Sequence, residues 1–249
     1  MNRRCIAILG GSFDPVHSGH VALARYFITL LKPDELRILP AGNPWQKLGL
    51  QASGAQRLAM LELAFNDIDI PVVFDQRELR DTQPSVTIAS LQSMRAELGN
   101  EVSLNFLMGA DQLQHLDTWQ QWQALFAYAN LCAAARPGFV LAGPTVPIAV
   151  STEFAGRAAT PEQLRSSAYG QSFLAPNLAV DISATTIRAA LKQSQLPLIE
   201  HRGQGHDQQY RQQHSQQQSH QGQERCPDLA ALLPPAVLDY IQQHHLYKN

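Results

Sequence analysis

Two histidines three residues apart, His17 and His20, lie in the segment GGSFDPVHSGH, which follows the apolar run Cys5–Leu9. If a helix begins near Ser18 or Gly19, one imidazole lies just before that helix and the other lies in its first turn. Both rings can then donate N–H groups to one phosphate, and the helix N-terminus adds backbone amides and its dipole. This spacing therefore predicts stabilisation of the charge that develops on a phosphorus atom during transfer.

The glycines of the same segment, Gly10 and Gly11, stand where the backbone would leave a buried strand. Because glycine has no Cβ, the backbone amides there can approach an anion closely. A glycine pair or two histidines on a helix start would be weak evidence alone, since such histidines are often surface residues. Strand, turn and helix in this order form the context that phosphate binding requires.

Short apolar runs alternate with helix-like segments as far as about residue 192. The runs predicted as strands are Cys5–Leu9, Leu36–Leu39, Val72–Phe74, Leu104–Met108, Leu131–Ala135 and Leu178–Ile182. The segments predicted as helices include Val21–Leu31, Gln56–Phe65, Val86–Leu98, Trp119–Phe126 and Thr185–Leu191. Solid apolar strands separated by helices predict an α/β fold, with a parallel sheet covered on both faces.

The segment His201–Arg225 interrupts this alternation, because it holds ten glutamines and four histidines. Such a chain buries too little apolar surface to offset the entropy of ordering, so we expect a disordered insertion over 201–225. Its histidines could be metal ligands, but their irregular spacing favours an insertion without a metal site. Residues 226–249 regain apolar periodicity and predict a helix that packs back on the domain formed by residues 1–200.

The composition argues against several classes of partner. The formal net charge is −2 at pH 7, which gives no sign of the basic face that binds nucleic acid. The first apolar stretch ends at Gly10, too early for a signal peptide, and no run is long enough to span a membrane. The three cysteines form no CxxC pattern and predict reduced thiols in a cytoplasmic protein. Oligomer formation stays open.

A second chemistry-bearing segment, ISATTIR, occupies residues 182–188. The first segment, with its core His17-Ser18-Gly19-His20, resembles the HxGH signature of the nucleotidyltransferase superfamily. ISATTIR resembles that superfamily's ISSTxIR loop, with Ala184 in place of the second serine. The resemblance implies a Rossmann-like, doubly wound parallel sheet, here with a C-terminal helical extension. It also implies transfer of a nucleotide to a phosphate-bearing acceptor.

The middle of the chain is more selective. The segments PAGNPWQK, QRLAML, PSVTIASL, GADQLQHLDTWQQW and LLPPAVLDYI resemble the bacterial nicotinate-mononucleotide adenylyltransferases along nearly the whole chain. This resemblance implies an enzyme that joins the AMP part of ATP to nicotinate mononucleotide, with Mg²⁺ accompanying the ATP. Nicotinamide mononucleotide and pantetheine phosphate stay open as acceptors. A non-catalytic nucleotide-binding module on the same fold is the alternative of another class, and the presence of both histidines argues against it.

The same resemblance implies roles for individual residues. His17 and His20 would contact the ATP phosphates as the catalytic pair, and Thr87 and Trp119 would form the pocket for nicotinate mononucleotide. The other residues implied to contact ATP are Gly10, Gly11, Ser12, Phe13, Lys47, Gly109, Asp111, Ser183 and Arg188. No side chain is implied as a metal ligand.

Several of these residues also have structural interpretations. Asp111 follows a predicted strand, where ligands bind in open α/β sheets, and its carboxylate could accept from two ribose hydroxyls; it could instead cap the next helix. Trp119 and Trp122 would share a face of the predicted helix, with Trp122 in the core. Ser183 could be a helix cap, and Asp14, which precedes a proline, is predicted as a turn former.

Overall fold

The computed structural model describes residues 3–43, 49–81, 83–135, 138–176, 178, 182–193 and 228–248. Its strands are β1 (Cys5–Gly11), β2 (Glu35–Pro40), β3 (Val72–Phe74), β4 (Ser103–Gly109), β5 (Asn130–Ala134) and β6 (Ser172–Ala175). Its helices are α1 (Ser18–Leu31), α2 (Gly54–Ala64), α3 (Arg77–Arg80), α4 (Thr87–Leu98), α5 (Ile148–Gly156), α6 (Pro161–Ser166), α7 (Ala184–Gln193), α8 (Leu229–Leu232) and α9 (Pro235–Gln243). Three 3₁₀ turns, Ala110–Gln114, Leu116–Thr118 and Trp122–Ala127, join β4 to β5.

The strands form one sheet in the order β3-β2-β1-β4-β5-β6, and each neighbouring pair is parallel. The predicted Rossmann-like, doubly wound sheet is confirmed. The chain winds outward from β1 to β3 in one direction, then returns to β4 and winds outward in the other. The gap beyond the carboxyl ends of β1 and β4 is therefore the topological switch point, where open α/β sheets bind ligands.

Side chains alternate across the sheet and fill two separate cores. On β1, Ala7 and Leu9 belong to one core, whereas Ile6 and Ile8 belong to the other. This period of two follows from the pleat, and burial on both faces explains why the strands read as solid apolar runs. The helix α1 closes one face, because its apolar side chains recur at helical spacing and lie buried together. These residues are Leu23, Ala24, Phe27 and Leu31.

The sixth strand lies elsewhere than the sequence predicts. Ser172–Ala175 pairs with β5 and ends immediately before Pro176, which has no N–H to continue a ladder. Leu178 and Ile182, the ends of the predicted strand, lie outside the strands, and residues 179–181 fall outside the described residues. The sixth strand was therefore predicted too late in the chain, because the segment 178–182 is the more apolar of the two runs, whereas strand pairing selected the shorter one.

The predicted helix Trp119–Phe126 is also wrong. Trp119 has an extended backbone after one 3₁₀ turn, and the next turn begins only at Trp122. Gln121 lies between them with φ of 51°, a left-handed conformation that interrupts helical geometry. The two tryptophans therefore do not share a helix face.

The C-terminal segment packs on the first core. Val237 and Ile241 of α9 are fully buried there, beside residues of α2 such as Met60 and Leu61. The predicted insertion over 201–225 lies outside the described residues, so the proposed division into residues 1–200, 201–225 and 226–249 stays a prediction. Across the described ranges, no helix combines the length and apolar character needed to cross a membrane.

Candidate active site

A cavity of about 340 Å³ opens at the switch point, between the carboxyl ends of β1 and β4. Most of the site residues predicted from the sequence line it, although they come from distant parts of the chain. They are Gly10, Gly11, Ser12, Phe13, His17, His20, Thr87, Gly109, Asp111, Trp119 and Ser183. Lys47 falls outside the described residues. Arg188 is described but is not among the lining residues.

The glycines at the end of β1 are required by packing. A Cβ on Gly10 would lie 2.9 Å from the Phe106 ring, and one on Gly11 would lie 3.0 Å from the Phe13 ring. These separations are shorter than normal carbon contacts, so a side chain at either position would displace an aromatic ring that lines the cavity. The absence of Cβ atoms at Gly10 and Gly11 therefore lets the Phe13 and Phe106 rings line the cavity, and it also leaves the glycine backbone accessible.

The two histidines lie where the sequence predicts them. His17 is the extended N-cap residue of α1, and His20 lies in the first turn of that helix. Their rings stack with centroids 3.7 Å apart, and His20 also meets Phe13 edge-on at 4.9 Å. The backbone N–H of His17 donates to Nδ1 of His20 at 3.2 Å. An accepting Nδ1 carries no proton, so the neutral His20 ring carries its proton on Nε2.

Asp111 lies on the opposite wall, just beyond the end of β4. It belongs to the 3₁₀ turn whose N-cap is Gly109, so the cap alternative is not adopted. The carboxylate is exposed and accepts from Gln112 at 2.8 Å. A Cβ on Gly109 would overlap this carboxylate, which explains the glycine. The wall thus offers an accessible acceptor pair that could receive vicinal hydroxyls.

Trp119 and Thr87 also line the cavity. Thr87 is the first residue of α4, whose initial backbone N–H groups have no acceptor within the helix. The Trp119 ring meets Phe106 edge-on at 6.3 Å. Its indole Nε1 is buried and has no acceptor among the described residues. A buried donor without a partner is unfavourable, so this N–H favours a ligand that can accept from it.

Glu78 is a cavity residue that the sequence analysis missed. It is 9% exposed, and burial, opposed by hydrogen bonds, raises the pKa of its carboxyl group. The Ser90 hydroxyl donates to it at 2.5 Å. Nearby, the Ser85 hydroxyl accepts from the backbone N–H groups of Gly42 and Asn43 at 2.9 and 3.1 Å. The sequence carries no signal for this role, because Glu78 lies in one short turn of charged residues.

The loop between β1 and α1 is held by side chains that are distant in sequence. Arg57 of α2 donates to the carbonyl oxygen of Ser12 at 2.7 Å, and Arg188 of α7 donates to that of Asp14 at 2.6 Å. Asp14 forms the predicted turn, but its carboxylate is also buried and accepts from Tyr247 at 2.8 Å. Ser183, before α7, accepts from the Thr186 amide at 3.2 Å, as a cap does, and still lines the cavity.

The described residues contain no group of three or more His, Cys, Asp or Glu side chains that could hold a metal ion. Cys5 and Cys132 are free and buried, and burial raises the pKa of Cys5 to about 11. At neutral pH this thiol is therefore protonated and a poor nucleophile.

Comparison with known proteins gives consistent results. The family model described as cytidylyltransferase-like matches residues 8–190. A protein of Herminiimonas arsenicoxydans named "Probable nicotinate-nucleotide adenylyltransferase" is 52% identical over 99% of this chain and 98% of its own length. A protein of the same name from Chromobacterium violaceum is 36% identical, with both chains covered completely.

Among solved structures, the chain is similar to Plasmodium falciparum nicotinic acid mononucleotide adenylyltransferase complexed with NaAD. The TM-score is 0.66 and the identity is 15%, with 98% of this chain and 97% of the other covered. At this identity the likeness shows that the two chains share a fold.

Proposed function

Because the chain belongs to the cytidylyltransferase-like family, and within it to the nicotinate-nucleotide adenylyltransferases, we propose that it transfers the adenylyl group of ATP to nicotinate mononucleotide. An oxygen of the mononucleotide phosphate attacks the α-phosphorus of ATP. The bond from that phosphorus to the oxygen bridging to the β-phosphorus breaks, and the electron pair leaves with pyrophosphate. The other product is nicotinate adenine dinucleotide. One cavity that joins two imidazoles to an exposed carboxylate and an unpartnered indole donor supports this reaction.

The loop that carries the histidines binds the triphosphate. His17 and His20 donate N–H groups to oxygens on the reacting phosphorus, and the protonated Nε2 of His20 suits that role. Donors fixed before the substrate arrives stabilise developing charge without reorganising. Ser183 lies at the same cavity, and Lys47 and Arg188 add positive charge to the triphosphate in this proposal.

The opposite wall holds the sugars and the base. The Asp111 carboxylate accepts from the ribose hydroxyls of ATP, with Gly109 leaving room for it. The Trp119 ring and Thr87, which line the same cavity, contact nicotinate mononucleotide. Catalysis on this arrangement consists of positioning and charge stabilisation, and the part of the chain that is described places no lysine or cysteine on the cavity wall to form a covalent intermediate.

Selection of an acidic acceptor follows from the first turn of α4. The N–H groups there and the positive end of the helix favour the nicotinate carboxylate over the neutral amide of nicotinamide. Thr87 adds a hydroxyl at the same point. Burial raises the pKa of the neighbouring Glu78, which disfavours a second negative charge on this wall.

Mg²⁺ enters with ATP in this proposal. The described residues offer the ion no protein cage, which suits an ion held by phosphate oxygens and water. When bound, Mg²⁺ neutralises phosphate charge. We also propose that the protein acts in the cytoplasm, where thiols such as Cys5 stay reduced.

The test measures pyrophosphate release from ATP and Mg²⁺, with nicotinate and nicotinamide mononucleotides assayed in parallel. We expect a kcat/KM at least about tenfold higher for the nicotinate form, since one charged hydrogen bond is worth about 1.5–3 kcal/mol. Equal use of both acceptors would contradict the selectivity but leave the chemistry. Failure with both acceptors, followed by release with pantetheine phosphate, would contradict the proposed acceptor. Failure with all three would favour a non-catalytic nucleotide-binding module.

A further inference from the structure

The C-terminal segment reaches the base of the histidine loop. Tyr247 follows α9, is 4% exposed, and has its hydroxyl 2.8 Å from Oδ1 of Asp14, a residue 233 positions earlier in the chain. Asp14 lies three residues before His17 and is itself 3% exposed. This hydrogen bond therefore joins the last described segment of the chain to the loop that presents both imidazoles.

Among the described residues, three groups donate to the Asp14 carboxylate, and each comes from outside the loop. The backbone N–H groups of Gln51 and Ala52, ahead of α2, donate to Oδ2 and Oδ1 at 2.9 and 3.0 Å. Tyr247 supplies the third hydrogen. Without the Tyr247 hydroxyl, Oδ1 would keep only the Ala52 N–H as a donor, and the buried carboxylate would lose the hydrogen bond that ties it to the C-terminal segment.

Two guanidinium groups also hold the loop at this point. Arg57 and Arg188 both face the loop, where they donate to the carbonyl oxygens of Ser12 and Asp14. Burial, then the Asp14 charge, raises the pKa of Tyr247, so its hydroxyl stays protonated and able to donate. The hydrogen bond between Tyr247 and Asp14 joins two buried side chains. The position of the loop is therefore sensitive to removal of the Tyr247 hydroxyl.

We infer that Tyr247 is a positioning residue for the transfer step: its hydroxyl, acting through Asp14, fixes the position of the loop that carries His17 and His20. The inference rests on the proposed function. Tyr247 touches no reacting atom in this scheme. Phosphoryl transfer that depends on placed donors is sensitive to displacements of about 1 Å, so an error at the base of the loop lowers the rate.

The test compares Tyr247→Phe with Tyr240→Phe in the full-length protein. Both variants remove one hydroxyl from the C-terminal segment, but Tyr240 packs on His244 with rings 4.1 Å apart and has no described hydroxyl contact with the loop. For Tyr247→Phe we expect kcat to fall about tenfold, with KM for ATP and for the acceptor changed less than about twofold. Tyr240→Phe is expected to keep the wild-type kcat. Equal kcat in the two variants, or an effect confined to KM, would overturn the inference.

A second measurement keeps the inference testable if the wild type proves inactive. The ¹⁵N shifts of the His20 ring report its tautomer, which the His17 amide fixes in the present structure. We expect Tyr247→Phe to move these shifts towards the values of exchanging tautomers, and Tyr240→Phe to leave them unchanged. Unchanged shifts in Tyr247→Phe would contradict the coupling, whatever the enzyme transfers. Failure of the wild type in the pyrophosphate assay, with shifts that do move, would contradict only the proposed reaction.

If Tyr247→Phe does not fold, Asp14→Asn and the double variant with Tyr247→Phe decide the matter by comparison. Should Tyr247 act through Asp14, the double variant will have the same kcat as Asp14→Asn alone. A double variant with a lower kcat than Asp14→Asn would show that the two side chains act independently and would overturn the inference.

Discussion

The two walls of the cavity differ in how their polar groups are satisfied. The donor wall is the loop Ser12–His20, and its carbonyl and carboxylate oxygens accept from Arg57, Arg188 and Tyr247. The acceptor wall is the segment Gly109–Gln120 together with Thr87. There the Trp119 indole N–H is buried without an acceptor among the described residues, and the Asp111 carboxylate is exposed.

This contrast separates two tasks of a transferase. In the proposed reaction, the wall that stabilises charge on phosphorus must be in place before the substrate arrives, and the protein itself supplies donors to the carbonyl oxygens of Ser12 and Asp14 and to the Asp14 carboxylate. The wall that recognises the second substrate keeps donors and acceptors available, because a ligand that satisfies them gains binding energy and one that cannot is rejected. The physical consequences of changing each wall therefore differ, and three substitutions test the difference.

The largest effect is expected on the donor wall. In the proposed reaction, His20→Ala removes an N–H donor to the reacting phosphate, and kcat should fall about 10²–10³-fold. His115→Ala is the matched control, since His115 is exposed and its side chain is not among those lining the cavity. Steady-state pyrophosphate release measures both. A His20→Ala enzyme that folds normally and keeps most of its turnover would show that the ring does not act in the transition state.

An intermediate effect is expected on the acceptor wall. Trp119→Phe keeps an aromatic ring but removes the unpartnered N–H, so KM for the mononucleotide should rise about tenfold while KM for ATP stays the same. Trp122→Phe is the control, because that ring packs partly buried on the core and is not a lining residue. Initial rates with one substrate varied at a time provide the measurement. A rise confined to KM for ATP would assign Trp119 to the other wall.

The smallest effect is expected in the stability of the fold around Glu78, which lines the same cavity. Burial raises the folded-state pKa of Glu78. The stability that the protonated carboxyl group contributes is therefore fully present below the unfolded pKa of 4.5, and it is lost as pH rises through the folded-state pKa. Glu78→Gln cannot lose a proton. Relative to wild type, its free energy of unfolding should therefore improve as pH rises through the folded-state pKa of Glu78.

Urea unfolding at several pH values measures this difference, with Glu62→Gln on the exposed face of α2 as the control. A wild-type protein that gains stability over Glu78→Gln as pH rises would mean that the carboxyl group is ionised in the native state.

Sequence reasoning predicted the parts of the molecule whose causes are local. A solid apolar run and the glycine pair that follows it located β1, and the helix start at Ser18 followed with both histidines in place. The parallel sheet followed from the same alternation. Motif resemblance added Thr87, Asp111 and Trp119, which lie far apart in the chain but line one cavity.

The features that sequence reasoning missed depend on the assembled fold. β6 was placed too late because strand pairing, not apolar content, selected Ser172–Ala175. The helix expected at Trp119 is interrupted by Gln121, which has a left-handed backbone. A glycine at this position would have indicated that conformation, but glutamine does not. No sequence spacing predicts the contacts of Tyr247 and Glu78. Tyr247 donates to Asp14, a residue 233 positions earlier in the chain, and Glu78 is buried and accepts from Ser90.

The most direct test of the contrast between the walls is an NMR titration with nicotinate mononucleotide in the absence of ATP. The resonances observed are the Trp119 indole N–H and the His20 ring nitrogens. We predict that the indole signal moves to a bound position, while the His20 signals keep the tautomer set by the His17 amide. A His20 tautomer that changes while the indole signal stays fixed would contradict the account, because the donor wall would then be the adaptable one.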